Sequence, residues 1–337
     1  MSGKIVILCY LIFLCSSTAV AQDVNFSQPY ASRHYLNPAF TGLGPYWSAS
    51  VAHRNQWPAL NGSFITNQFS ADYRLPGTKS GVGLLLQQDR AGVGGLQKLQ
   101  ATGSYAYHTA VTDKWAFSGG LQASVASLRL NYDNLVFGDQ LSDNGLVAVT
   151  SAEVSNFEPG RYVSFATGGL VYTEQFWFGL TAANLNRPSY GFGQKTALPL
   201  RFMATAGYKF YARSYQVQGR LFELSFIPAA SYIRDHNFSR ADLSIYTIFT
   251  PLTLGLIYQG VPVATAANQD QTLAMLVGLQ LEQFNIGVSH AIGLKGFSTQ
   301  AGGATEITLR FEQLDLNKLL RSRDKNKLNQ HNPWPSF

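Results

Sequence analysis

Six histidines, His34, His53, His108, His236, His290 and His331, are the side chains that could act as general bases or bind a metal near neutral pH. None stands at a recognised ligand spacing. His108 has an acid nearby in the chain, Asp113. Such a pair could activate a water for hydrolysis, yet no Gly-x-Ser-x-Gly elbow, His-Glu-x-x-His helix or phosphate loop accompanies it. A histidine at the end of a strand explains His108 better. The stretch 129–161 holds Asp133, Asp139, Asp143 and Glu153 with Asn134 and Asn144, oxygens that calcium could use. Their spacing departs from an EF-hand loop, and ordinary loop acidity is the simpler reading. Gly81-Val82-Gly83 and Gly92-Val93-Gly94-Gly95 lack the strand-to-helix setting of a nucleotide motif and read as turns and curvature. The residues therefore point to no catalytic set, no metal and no cofactor.

The elements that would carry these side chains are strands. In residues 65–74, Ile65, Phe69, Ala71 and Tyr73 share one face, and Thr66, Gln68, Ser70, Asp72 and Arg74 share the other. Similar stretches of about ten residues recur with aromatic ends, the length that crosses a bilayer as a tilted strand. About fourteen are predicted, the first near 46–54 and the last near 304–312. The links between them alternate: those after even-numbered strands are brief and those after odd-numbered strands tend to be longer. Residues 90–96 and 212–220 are exceptions. That alternation predicts an all-β fold, a single antiparallel transmembrane β-barrel with both chain ends in the periplasm.

Composition agrees with this. Only 13% of the 337 residues are charged, too few for a large soluble surface, while mean hydropathy stays near zero. After the start there is no second long apolar run, which argues against a helical membrane protein. A lysine or arginine at the lipid midplane costs roughly 2–4 kcal/mol, so the polar parity must look inward. On that rule Asp72, Arg74, Lys98 and Arg310 face the lumen, while Leu99, Tyr105, Ile307 and Leu309 meet lipid. Gly119-Gly120 and Gly168-Gly169 would allow sharp curvature of the closing sheet.

The organisation expected is a signal peptide at 1–21, a lead-in segment at 22–45, the barrel at 46–312 and a periplasmic tail at 313–337. Lys4, the apolar run 5–14 and Ala19-Val20-Ala21 fit a secretory leader. Both cysteines, Cys9 and Cys15, lie within it, which leaves the mature chain without thiols. The formal charge of +6 is partly local to Lys318, Arg321, Arg323, Lys325 and Lys327. In an exported protein it reads as a solvated tail or a docking segment for a periplasmic or cell-wall partner, not as a nucleic-acid surface.

Three groups of short words near the mature start carry a resemblance: Gln28-Pro29-Tyr30; Tyr35-Leu36-Asn37-Pro38-Ala39-Phe40-Thr41-Gly42; and Arg54-Asn55-Gln56-Trp57-Pro58. They resemble the opening of the PorP/SprF family, outer-membrane proteins associated with type IX secretion and gliding motility in Bacteroidetes. The resemblance implies a non-enzymatic outer-membrane component that helps secrete or hold at the surface a large cargo such as an adhesin. It also implies partners among periplasmic or peptidoglycan-associated secretion and motility proteins. Asn37, Pro38, Ala39, Phe40, Gly42, Arg54, Asn55, Gln56 and Trp57 are the family-motif or partner-binding candidates. The polar inner parity by itself leaves a second reading open, a general or substrate-specific diffusion channel.

Overall fold

The computed structural model describes residues 26–44, 46–92, 94–130, 138–142, 145–146, 159–191, 196–217, 220–235, 238–261, 271–281, 283–295 and 299–312. The expected signal peptide, the tail and most of the acidic loop lie outside these residues. Fourteen strands form the wall: β1 (Trp47–Gln56), β2 (Phe64–Arg74), β3 (Ser80–Ala91), β4 (Leu96–Ala110), β5 (Ala116–Arg129), β6 (Gly160–Tyr172) and β7 (Phe176–Ala183). β8 follows in two runs, Arg201–Tyr208 and Phe210–Val217, then β9 (Arg220–Asp235), β10 (Phe238–Phe249), β11 (Leu252–Val261), β12 (Gln271–Leu281), β13 (Phe284–Lys295) and β14 (Ala304–Glu312). Each pairs antiparallel with its neighbours in sequence, and β14 closes on β1 from Ser48↔Glu312 to Gln56↔Ala304.

Burial alternates along the strands as the pleat requires. On β4, Leu99, Tyr105 and Tyr107 are exposed while Thr102, Ser104, Ala106 and His108 are buried. Val51, Leu121, Val125, Leu180, Leu243, Met275, Val277, Ile307 and Leu309 continue the exposed apolar band around the wall. A continuous belt of this kind has lipid as its solvent. Aromatic side chains mark the end where the links are short, with Trp47 and Phe311 at 4.7 Å, Phe284 and Phe311 at 5.0 Å, and Trp115 and Phe176 at 6.0 Å. At the opposite end Trp57 packs on Phe64 at 5.1 Å. From Trp47 to Gln56 a strand tilted by about 40° rises roughly 23 Å along the normal, close to the ~25 Å apolar band of such barrels.

The link expected at 212–220 is mostly strand. β7 pairs only with the first run of β8, whereas the second run pairs with β9 from Phe210↔Phe226 to Val217↔Arg220. The two strands thus continue past the short-link rim as a hairpin. Phe210, Tyr211, Ala212 and Arg213 are exposed in succession because neither face there has a wall to pack against. This loss of alternation makes the stretch look like a loop in the sequence.

Inside the wall, residues 26–43 do not simply lead in. They fold into a short 3-10 turn (Pro29–Ser32), a single α-turn (Arg33–Leu36) and a second 3-10 turn (Pro38–Phe40), with nearly every side chain buried in the lumen. Pro38 forbids the helical conformation to the residue before it, so Asn37 is extended at φ −152°, ψ 120° and the α-turn ends. The Asn37 side chain then restarts the chain by accepting the Ala39 N–H at 2.8 Å.

This inner segment explains why polar-in parity holds on only part of the wall. Towards β6–β12 the lumen presents Leu170, Trp177, Ile227, Tyr246, Ile257 and Leu276, which form one apolar cluster with Tyr30, Ala31, Leu36, Ala39, Phe40 and Leu43. Towards β13, β14 and β1–β4 it presents hydroxyls, amides and charges. The segment is two-faced and occupies the space a water-filled barrel would leave open.

Candidate functional site: a plugged lumen

The polar side of the plug begins at the seam where the barrel closes. Arg54 on β1 and Glu306 on β14 stand directly opposite each other, and their side chains meet at 3.1 Å. The same carboxylate accepts the backbone N–H groups of Ser27 at 2.7 Å and Gln28 at 3.0 Å. Arg54 also donates to Ser27 Oγ at 3.2 Å and to Gln56 Oε1 at 3.3 Å. Two buried charges are tolerated here because each is paired and hydrogen-bonded.

Gln28 uses its whole amide. Nε2 donates to Ser289 Oγ at 3.0 Å and to the Glu306 carbonyl at 3.1 Å, while Oε1 accepts from Tyr30 at 2.7 Å and Thr308 at 2.6 Å. One turn further along, Arg310 donates to the Tyr30 carbonyl at 2.8 Å and to Ser48, and it pairs with Glu312, which Arg33 also reaches at 3.5 Å. Burial, reinforced by the nearby Arg310 charge, lowers the Arg33 pKa to about 9. Burial likewise pushes the His34 imidazole below its ordinary value, against the opposing pull of Asp72.

Residues 37–43 are keyed to the wall by shape. Asn37 donates to the carbonyls of Gly169 and Leu180 at 3.0 and 3.1 Å, Thr181 donates to the Leu36 carbonyl at 3.0 Å, and Ser118 donates to the Ala39 carbonyl at 2.7 Å. Beneath them the wall has glycines. A Cβ on Gly120 or Gly168 would collide with Pro38 and its neighbours, one on Gly179 would come within 2.9 Å of Asn37 Nδ2, and one on Gly81 within 2.6 Å of Gly42 Cα. Gly42 itself has φ +67°, which a side chain would strain. Gly120 and Gly168 are cross-strand partners, as are Gly119 and Gly169. The inner pair receives the plug and the outer pair lies against the Phe117 ring. Close approach, in addition to any curvature, accounts for these glycines.

The sequence-derived candidates divide by location. Asn37, Pro38, Ala39, Phe40 and Gly42 belong to the plug, and Arg54 holds it. Asn55, Gln56 and Trp57 are half-buried at the long-loop rim, where Trp57 has φ +58° and its N–H donates to the Gly303 carbonyl at 2.7 Å. Asp72 accepts the Gly42 N–H at 2.8 Å and bonds Ser48; Arg310 holds Tyr30. Lys98 is half-buried opposite Asp89 on β3, and Arg74 is half-buried at the end of β2. His108 does not meet Asp113 in a catalytic pair: its Nε2 lies 2.8 Å from the Thr41 carbonyl, a plug contact. Glu306, Gln28, Ser289 and the socket glycines are the residues that sequence reasoning did not single out as a site. Their signal was an inward-parity Glu306 in register with an inward-parity Arg54. Among the described residues no group of His, Cys, Asp or Glu could hold a metal ion.

Residues 18–311 match the family described as type IX secretion system membrane protein PorP/SprF. No curated protein matches the chain. Among solved structures it is similar to the CymD monoaromatic hydrocarbon channel (12% identity, 86% of this chain and 92% of that one, TM-score 0.45). It is also similar to the Ralstonia pickettii toluene transporter TbuX (13%, 81% and 90%, 0.42) and the Acinetobacter baumannii outer membrane protein Omp33 (7%, 81% and 100%, 0.43).

Proposed function

From the premise that this chain belongs to the type IX secretion system membrane protein PorP/SprF family, we propose that it is a non-enzymatic outer-membrane partner of one secreted protein. It assists export of that cargo or holds it at the surface. The observation that carries this reading is the filled lumen: residues 26–43 bond to strands around the wall, which leaves the two rims as the surfaces for recognition. Large loops on a rigid barrel suit that role. The Asn55–Trp57 rim and the projecting β8–β9 hairpin are the places where we expect cargo and periplasmic components to dock. The diffusion-channel reading needs an open polar path, and the plug stands in it.

The test is an in-frame deletion of this gene alone, followed by surface proteomics of intact cells. Loss or shedding of one large surface protein, with other secreted proteins retained, is the expected result. A complete and normally attached set of surface proteins would overturn the proposal.

A further inference from the structure

The plug is held in two different ways along its length. Residues 37–43 sit over Gly81, Gly83, Gly120, Gly168 and Gly179, so steric fit keys their backbone and the Asn37 side chain into the wall. Residues 26–36 are held by polar contacts on one side and by packing of Tyr30, Ala31 and Leu36 in the apolar cluster on the other, with no socket glycine beneath their backbone. Glu306 accepts two successive backbone N–H groups, Arg310 donates to a backbone carbonyl, and Ser289, Thr308 and the Glu306 carbonyl read one glutamine amide. Gly287, below Gln28, faces the end of a side chain and not a backbone. Opposite these contacts lies a cavity of about 50 Å³ lined by Phe26, Leu36, Trp177, Met203, Ala230 and Tyr246, so packing on that flank is incomplete. The two halves join at extended Asn37, between two short helical turns.

We propose that the inner wall of β13, β14 and β1 is a peptide-binding site which residues 26–36 occupy in cis and leave reversibly, turning about Asn37 while residues 37–43 stay seated. The contacts define the ligand chemistry: a peptide stretch with two consecutive free N–H groups for Glu306, a glutamine amide for Ser289 and Thr308, and a carbonyl for Arg310. Three of these contacts read backbone, so another chain presenting the same pattern can replace the cis segment. Linkage to the wall gives the cis copy an effective concentration of order millimolar, which a competitor must match.

Two cysteine variants of the full chain in native outer membranes test this. Ser289→Cys places a thiol beneath Gln28, and Ser118→Cys places one beneath the Ala39 carbonyl. With a water-soluble methanethiosulfonate reagent, the thiol of the Ser289→Cys variant is expected to label at least tenfold faster than that of Ser118→Cys. Adding Gln28→Ala, which disables the cis segment and leaves the wall intact, is expected to raise the rate at position 289 by a further tenfold or more without moving the rate at position 118. A synthetic peptide of residues 22–36 at millimolar concentration then returns position 289 to protection, and a scrambled peptide does not. Equal rates at the two positions, or a rate at position 289 indifferent to Gln28→Ala, would overturn the hinged half-plug. Failure of the wild-type peptide to protect would overturn the peptide site. Heat-modifiable migration on gels verifies that each variant is a folded barrel, and these readouts do not depend on whether the secretion proposal holds.

Discussion

Gly120→Ala should change the sign of its effect depending on whether the plug is present. In the intact protein the new methyl lands on the Pro38–Ala39 peptide, a backbone target that cannot rotate aside. Overpacking of this kind costs about 1–3 kcal/mol. The same substitution restricts the unfolded chain and so stabilises by about 0.4–1 kcal/mol where the folded site has space. The intact protein should therefore lose up to about 2.5 kcal/mol, while a barrel lacking residues 22–44 should gain the ~0.4–1 kcal/mol. The coupling, about 1–3 kcal/mol, falls within the range for residues in direct contact. Guanidinium unfolding from lipid vesicles, followed by tryptophan fluorescence, measures both backgrounds. Gly103→Ala is the control, because its Cβ would enter open space on the lipid face and its effect should be identical in the two. If Gly120→Ala has the same sign and size with and without residues 22–44, the socket argument is wrong.

Asn37→Ala removes three hydrogen bonds of about 0.5–1.5 kcal/mol each and should lower the unfolding midpoint accordingly, with an unchanged denaturant slope. His108→Ala should cost about 1 kcal/mol through the lost contact with the Thr41 carbonyl and leave cargo export intact; loss of export without loss of stability would revive a chemical role. Acid should loosen the N-terminal half of the plug. Burial depresses His34 in the closed state, so its contribution is complete above the released value of about 6.5 and is lost as pH falls from there towards the closed-state value. Asp72 on β2, Arg310 on β14 and the adjacent Arg33 are the charges around it. Thiol labelling of the Ser289→Cys variant should accordingly accelerate between pH 7.5 and 5.5, beyond the reagent's own pH dependence at the Ser118→Cys thiol, and His34→Gln should flatten that profile.

The wall was legible in the sequence because lipid imposes a binary rule on every second residue. Each of the fourteen expected stretches overlaps a strand of the wall, and the outward set Leu99, Tyr105, Ile307 and Leu309 is exposed. Legibility ended where that rule stops acting. Residues 212–217, which continue β8 past the end of its pairing with β7, looked like a link. Trp177, Ile227, Tyr246 and Leu276 face inward although apolar, because their solvent is the plug and not water. The plug was the least visible part, since its turns are too short to show a helical period and proline and glycine made it resemble a connection. Its family words were nevertheless present. Gln28, Asn37 and Gly42 have roles only once strands distant in sequence bring Ser289, Gly169 and Gly81 to meet them.

Conductance in planar bilayers tests the central claim, that a folded segment of the chain itself fills the barrel. The intact protein should give no steady current, and the protein lacking residues 22–44 should give stable open-channel steps. A steady ohmic current from the intact protein, or a barrel equally silent without that segment, would contradict it.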